Sequence, residues 1–136
     1  LEQLGRITGE MRWAETLDKQ LRFLAGAMDG YPAGQSYGLL AVMNVLYPTK
    51  ELVCVLADEE WEKRKREIRR LAATAPGLAV VVKTKENEEE LGSVAPYTKD
   101  YPVPERGGEY YLCSGGQCMR PVKELEMLMR KLEVRL

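Results

Sequence analysis

Apolar residues in the first 48 positions recur every three or four residues, which places them on one face of an α-helix. The longest series predicts a helix over residues 11–29, and the next predicts a helix over residues 35–47. The same period predicts the last turns of an earlier helix, carrying Leu1, Leu4 and Ile7. The amino-terminal third of the chain is therefore expected to be helical.

After position 48 the pattern changes to short, uninterrupted apolar runs that are rich in β-branched residues. Such runs are typical of strands that are buried on both faces of a parallel sheet. Amphipathic patterns separate and follow them: a long one starts at Asp58, a short one spans 86–91, and the last starts at Pro121. The apolar runs predict three strands, at 51–56, 78–83 and 109–113.

The strands and helices alternate in the order βαβαβα, which predicts an α/β fold. Because crossovers between parallel strands are right-handed, we expect a small, three-stranded, mainly parallel sheet with helices on its faces. The chain then has two parts, a helical segment at 1–48 and a small α/β lobe at 49–136.

Charge and hydropathy exclude several kinds of partner. The chain carries 20 Lys and Arg against 21 Asp and Glu, interleaved along the sequence, so we expect no nucleic-acid partner. Its longest apolar stretch, 39–45, is far shorter than the roughly 20 residues needed to cross a bilayer. We expect a cytoplasmic protein with no membrane partner.

The chain contains no histidine, which removes the Ser–His–Asp and Cys–His nucleophile pairs and zinc sites with imidazole ligands. No phosphate-binding glycine loop follows the first strand. We therefore expect no catalytic residue, no metal and no cofactor in this chain, so that alone it is not expected to be an enzyme.

The most distinctive motif is Cys113-Ser114-Gly115-Gly116-Gln117-Cys118, in which two thiols flank a Gly-Gly turn at the end of the third predicted strand. The spacing permits a disulfide if the two Cα atoms come within about 7 Å. Two buried thiols acting as small apolar side chains, or a metal site, are the alternatives. Cys54 is predicted to be a core residue, which leaves a zinc site short of ligands. Cys113 and Cys118 are the candidate redox pair.

Four tyrosines lie close to the predicted strand ends: Tyr97, Tyr101, Tyr110 and Tyr111. Their rings could stack on a sugar or a base. Tyrosines in such places also commonly form part of the core, and both interpretations remain open.

Four short segments, in a fixed order, span nearly the whole chain. They are Thr8-Gly9-Glu10, Tyr31-Pro32-Ala33-Gly34-Gln35-Ser36, Pro48-Thr49-Lys50-Glu51-Leu52-Val53, and Tyr111-Leu112-Cys113 through Cys118 to Pro121. Together they resemble the carboxyl-terminal part of the thioredoxin-domain-containing proteins related to spermatogenesis-associated proteins. The chain differs from the common family pattern at Leu56-Ala57-Asp58 and at Met119-Arg120-Pro121.

Members of that family have a thioredoxin-like domain, a helical toroid similar to N-acylglucosamine 2-epimerases and six-hairpin glycosidases, and a carboxyl-terminal α/β lobe. The resemblance implies that residues 1–48 are the end of the toroid and that 49–136 are the lobe. The chain would then be a non-catalytic accessory lobe that contacts the other domains of its parent polypeptide. The alternatives are a thiol–disulfide redox partner that uses Cys113 and Cys118, or part of a sugar-processing enzyme whose active site lies elsewhere.

The sequence opens at Leu1, within an apolar periodic segment, as an excised piece of a longer polypeptide would. The parent's toroid would then cover an apolar face of the amino-terminal helices. In its absence we expect a homodimer through residues 1–47.

Overall fold

A computed structural model describes residues 1–47, 49–75, 77–114 and 117–133. The chain divides into two compact units. The first consists of residues 1–48 together with 94–96, and the second of residues 49–93 and 97–136.

The first unit is helical, as the apolar period predicts. Its helices are α1 (Glu2–Thr8), α2 (Met11–Met28) and α3 (Ser36–Leu46), with a 3-10 helix over Pro32–Gln35 before α3. Helix α1 ends at Gly9, whose φ of 70° lies in the left-handed region that glycine adopts without strain. The Gly9 N–H donates to the Gly5 carbonyl, which closes the last turn.

The first unit has no buried core of its own. None of residues 1–47 is buried, although the apolar stripes of the helices are present. Large apolar side chains are exposed along all three helices and their connections: Leu1, Leu4, Met11, Phe23, Tyr31, Tyr37, Leu39, Leu40, Met43, Val45, Leu46 and Tyr47.

The second unit is built on a four-stranded mixed sheet. Its strands are β1 (Lys50–Leu56), β2 (Leu78–Lys83), β3 (Gly108–Ser114) and β4 (Gln117–Cys118), in the spatial order β2-β1-β3-β4. Strand β1 pairs in parallel with β2 and antiparallel with β3, and β4 is antiparallel to β3. The helices of this part of the chain are α4 (Asp58–Thr74), α5 (Glu88–Val94), a 3-10 helix over Pro96–Asp100, and α6 (Leu125–Glu133).

The α/β class is confirmed, but the prediction of a mainly parallel three-stranded sheet is wrong for the third strand. The segment between β2 and β3 does not cross the sheet. Strand β2 ends beside the carboxyl end of β1, where Lys83 lies opposite Val55, and β3 begins at that same end, where Gly108 lies opposite Leu56. The Ala57 N–H donates to the Gly107 carbonyl at 2.9 Å and joins the two strand ends. A chain that returns to the same end must run antiparallel.

The last helix begins at Leu125 and not at Pro121, because the chain between them still belongs to the sheet. Val122 and Tyr110 exchange two backbone hydrogen bonds, at 2.9 and 3.0 Å. Residues 117–118 form the short strand β4, which the hydrophobic pattern did not predict.

The central strand β1 is buried on both faces, as its uninterrupted apolar run predicts. On one face, alternate residues of β1 pack against α4 and α6; this core consists of Leu52, Cys54, Leu56, Ile68, Leu71, Tyr110, Leu112, Leu125, Leu128 and Leu132. On the other face, the intervening residues pack against a second group, Val53, Val55, Cys113, Tyr97, Tyr101, Val103 and Tyr111. We call this second group the tyrosine face.

Candidate functional site

Cys113 and Cys118 are joined in a disulfide between β3 and β4. They lie directly opposite each other, with their Cα atoms 3.9 Å apart. The flanking residues Leu112 and Met119 share a backbone hydrogen bond of 2.9 Å. The cysteines therefore occupy the neighbouring non-hydrogen-bonded position, where opposite side chains approach most closely. Gly115 and Gly116, the predicted turn, lie outside the described residues.

The two sulfurs of this disulfide have different surroundings. Cys113 is only 8% exposed and packs on the tyrosine face with Val53 and Val55. Cys118 is exposed on the short strand β4. A reagent in solution therefore reaches Cys118 more readily than Cys113.

A tyrosine hydroxyl lies against the exposed sulfur. The Tyr101 Oη atom is 3.3 Å from the Cys118 Sγ atom. A disulfide sulfur carries no hydrogen, so the hydroxyl is the donor in this contact. The Tyr101 ring packs against Tyr111, with 4.4 Å between the ring centroids, and meets Tyr97 edge-on at 6.5 Å.

A buried lysine holds the backbone of Tyr101 in place. The Lys83 ammonium donates to the carbonyls of Thr98 and Tyr101, at 2.8 and 2.7 Å. Lys83 is 4% exposed and Thr98 is fully buried. The 3-10 helix over Pro96–Asp100 is thereby tied to the end of β2, and Tyr101 follows directly after that helix.

Burial raises the pKa values of Tyr101 and Tyr111. Burial is the main cause that raises the pKa of Tyr101, and the nearby Glu51 and Asp100 carboxylates raise it further. Burial also raises the pKa of Tyr111 to about 12, helped by the hydrogen bond of its hydroxyl to Glu109 at 2.6 Å. Both hydroxyls are therefore available as hydrogen-bond donors at neutral pH.

The third cysteine lies apart from this pair. Cys54 is fully buried among the apolar residues of the opposite face of the sheet, as predicted for a core residue. Burial raises the pKa of its thiol to about 12. In the part of the chain that the structure describes, no three His, Cys, Asp or Glu side chains gather into a metal site.

The four tyrosines near strand ends fall into two groups. Tyr110 is 1% exposed in the core beside α4 and α6, whereas Tyr97, Tyr101 and Tyr111 form the cluster beside the disulfide. The sequence interpretation missed the role of Lys83 altogether. The sequence did carry a signal, since Lys83 is a single charged residue at the end of an apolar strand.

The first unit offers a surface of a different kind. Between its helices lies an open depression of about 420 Å³, whose apolar lining includes Leu17, Leu21, Leu24 and Ala41. Large apolar side chains of α3 are exposed as well, Leu39, Leu40, Met43 and Leu46 among them.

No family model matches this chain, and neither a curated protein nor a solved structure matches it. Among the described residues, no helix combines the length and the apolar character required to cross a bilayer.

Proposed function

We propose that this chain is a non-catalytic accessory lobe whose helical unit docks on other helices of a larger polypeptide. The observation that carries the proposal is that residues 1–47 contain no buried residue while twelve of their large apolar side chains are exposed. The resemblance of the chain to the end of a helical toroid also supports helices of a larger polypeptide as the partner of this unit.

The energetics of short helices support a docking role. An isolated helix of this length is marginal in water, and most helical stability in proteins comes from packing of the apolar face. Burying one Leu or Met side chain contributes about 1.5–3 kcal/mol. Covering a few of the exposed residues of α2 and α3 would therefore stabilise this unit substantially.

Sedimentation of the whole chain tests the proposal. In the absence of the parent's helices, a second copy is expected to cover the surface, so the wild-type chain should form dimers as its concentration rises. Met43→Glu places a charge in the covered surface and should weaken dimerisation at least tenfold, which corresponds to about 1.4 kcal/mol.

Met127→Glu is the matched control. Met43 is 51% exposed on α3, and Met127 is 49% exposed on α6 in the second unit. The control should dimerise as the wild type does. A wild-type chain that stays monomeric at high concentration, or equal losses in both variants, would contradict the proposal.

A second candidate function is thiol–disulfide exchange at Cys113 and Cys118. The specific observation that favours it is a bonded pair with one exposed sulfur and an adjacent hydroxyl donor. We place the chain in the cytoplasm, where glutathione maintains a potential of about −220 to −320 mV. Thiol counting by mass spectrometry across glutathione buffers tests the candidate. A midpoint in that range supports exchange, whereas a pair that stays oxidised throughout contradicts it.

A further inference from the structure

We infer that Cys118 is the sulfur that an external thiolate attacks, that Cys113 is the sulfur that leaves, and that Tyr101 is a positioning residue that stabilises the Cys118 thiolate. This inference rests on the exchange function proposed above. It assigns a separate role to each of three side chains that meet at one edge of the sheet.

Access distinguishes the two sulfurs. An attacking thiolate must approach its target sulfur along the line of the disulfide bond, so the accessible sulfur reacts first. Cys118 is exposed, whereas Cys113 is packed among Val53 and Val55. Cys118 is therefore the more accessible target of the two.

The Tyr101 hydroxyl stabilises the thiolate form of the same residue, Cys118. A hydrogen bond donated to the charged form of a group favours that form, so a hydroxyl 3.3 Å from Sγ lowers the free energy of a Cys118 thiolate. The hydroxyl is held there by ring packing on Tyr111 and by the Lys83 ammonium on the Tyr101 carbonyl. Its own pKa is raised by burial, so it retains its proton.

The exchange balances as follows. An external thiolate, with glutathione as the probe, attacks Cys118 Sγ; the Cys113–Cys118 bond breaks, a mixed disulfide forms on Cys118, and Cys113 leaves as a thiolate that takes a proton from water. A second glutathione thiolate attacks the glutathione sulfur of the mixed disulfide. Oxidised glutathione leaves, and Cys118 is released as the thiolate that Tyr101 stabilises. The protein disulfide gains two electrons, and two glutathione molecules lose one each.

The first experiment locates the mixed disulfide in the wild-type chain. The chain is treated with glutathione, quenched with acid, and digested for mass spectrometry. Glutathione should be found on Cys118 at least ten times more often than on Cys113. Equal labelling, or labelling mainly on Cys113, would overturn the assignment.

The second experiment measures the Cys118 thiolate directly. In a Cys113→Ser background, Tyr101→Phe removes only the hydroxyl and keeps the ring. It should slow the alkylation of Cys118 at pH 7 by about threefold to tenfold, and should move the midpoint of the rate–pH profile to higher pH. Cys54 stays silent because it is fully buried.

Tyr111→Phe is the matched control, since Tyr111 belongs to the same cluster but its hydroxyl donates to Glu109. Its alkylation rate should stay within twofold of the background. Equal effects of the two substitutions would overturn the role of Tyr101, because both would then reflect general loosening.

The two proposals fail in different ways. If the wild-type disulfide resists glutathione throughout the cytoplasmic range, the exchange function fails. The alkylation profile of Cys118 still tests Tyr101 in that case. If exchange occurs but glutathione is found on Cys113, the function stands and the assignment of the sulfurs fails.

Discussion

Cys54 and Cys113 belong to neighbouring strands but lie on opposite faces of the sheet, and their chemistry differs accordingly. Side chains alternate between the two faces along a strand, so Cys54 lies in the core with Leu52 and Leu56 while Cys113 lies on the tyrosine face. The same side chain is an inert core residue in one place and half of a disulfide in the other. The position of each cysteine along its strand decides which of these two roles it has.

Cys54 should resist alkylation in the folded chain even after the disulfide has been reduced. Its thiol is fully buried and its pKa is raised to about 12, so both access and thiolate are lacking at neutral pH. Mass spectrometry after iodoacetamide should show label on Cys118, and on Cys54 only in urea.

The raised pKa of the Cys54 thiol also makes the stability of the fold depend on pH. The folded pKa is above the ordinary value of about 8.5, so the contribution of this thiol is fully present below pH 8.5 and is lost as the pH rises through about 12. Cys54→Ala should make the alkaline decline in the free energy of unfolding smaller, and the raised pKa values of Tyr101, Tyr110 and Tyr111 account for the decline that is left. An unchanged decline in the variant would assign it to other groups.

At the scale of elements, the Lys83 ammonium group joins the end of β2 to the 3-10 helix over Pro96–Asp100. Lys83 is the donor to two backbone carbonyls, of which the Thr98 carbonyl belongs to a fully buried residue. Backbone carbonyls in such a place need a partner, because an unsatisfied buried acceptor destabilises the fold.

Lys83→Met should lower the free energy of unfolding by about 1–3 kcal/mol, because it keeps the aliphatic stem but removes both hydrogen bonds of the ammonium group. The Thr98 carbonyl keeps its bond from the Tyr101 N–H, at 3.2 Å. Lys85→Met is the control, since the Lys85 side chain is 71% exposed and pairs only with Glu88 at the surface. It should change the free energy of unfolding by less than about 0.5 kcal/mol. Urea unfolding followed by Trp61 fluorescence, in a Trp13→Phe background, measures both, and equal midpoints would contradict the role of Lys83.

Element positions could be predicted from the sequence, but the direction of β3 could not. The helices at 11–29 and 35–47 and the three strands were predicted to within one or two residues at each end, because their periods are long or their runs uninterrupted. An uninterrupted apolar run has the same pattern in either direction. The direction of β3 depends on where the segment after β2 ends, which is a tertiary property.

The site was predictable to the same degree. The spacing of Cys113 and Cys118 around two glycines indicated a local pairing, and local pairings can be inferred from sequence. Tyr101 could not be assigned to the sulfur, because its position depends on the bond from Lys83, 18 residues earlier in the chain. Contacts over such separations leave no periodic signal.

At the scale of the whole molecule, the two units differ in the burial of their residues. Residues 51–56 of β1 are all buried and 51–55 are paired on both edges, whereas residues 1–47 contain no buried position. Local opening costs little free energy where few apolar contacts must be broken. The two units should therefore open independently.

Hydrogen exchange followed by mass spectrometry, at concentrations where the chain is monomeric, should show this difference. Amides of α2 and α3 should exchange at least a hundredfold faster than those of β1. Raising the concentration should protect α2 and α3 if dimerisation covers them, and should leave β1 unchanged. Equal protection in the two units would contradict their independence.

Because β1 lies between β2 and β3, its two partner strands are synthesised at different times. Strand β2, which ends at Lys83, leaves the ribosome before β3, which ends at Ser114, and about 30 residues separate the two. At about 5–20 residues per second, one edge of β1 waits on the order of seconds for its antiparallel partner. During that interval a nascent chain presents an apolar strand with unpaired backbone groups to its neighbours on the same messenger RNA. Slower translation of residues 84–107 would lengthen the exposure, so the yield of soluble protein should depend on the codons of that segment.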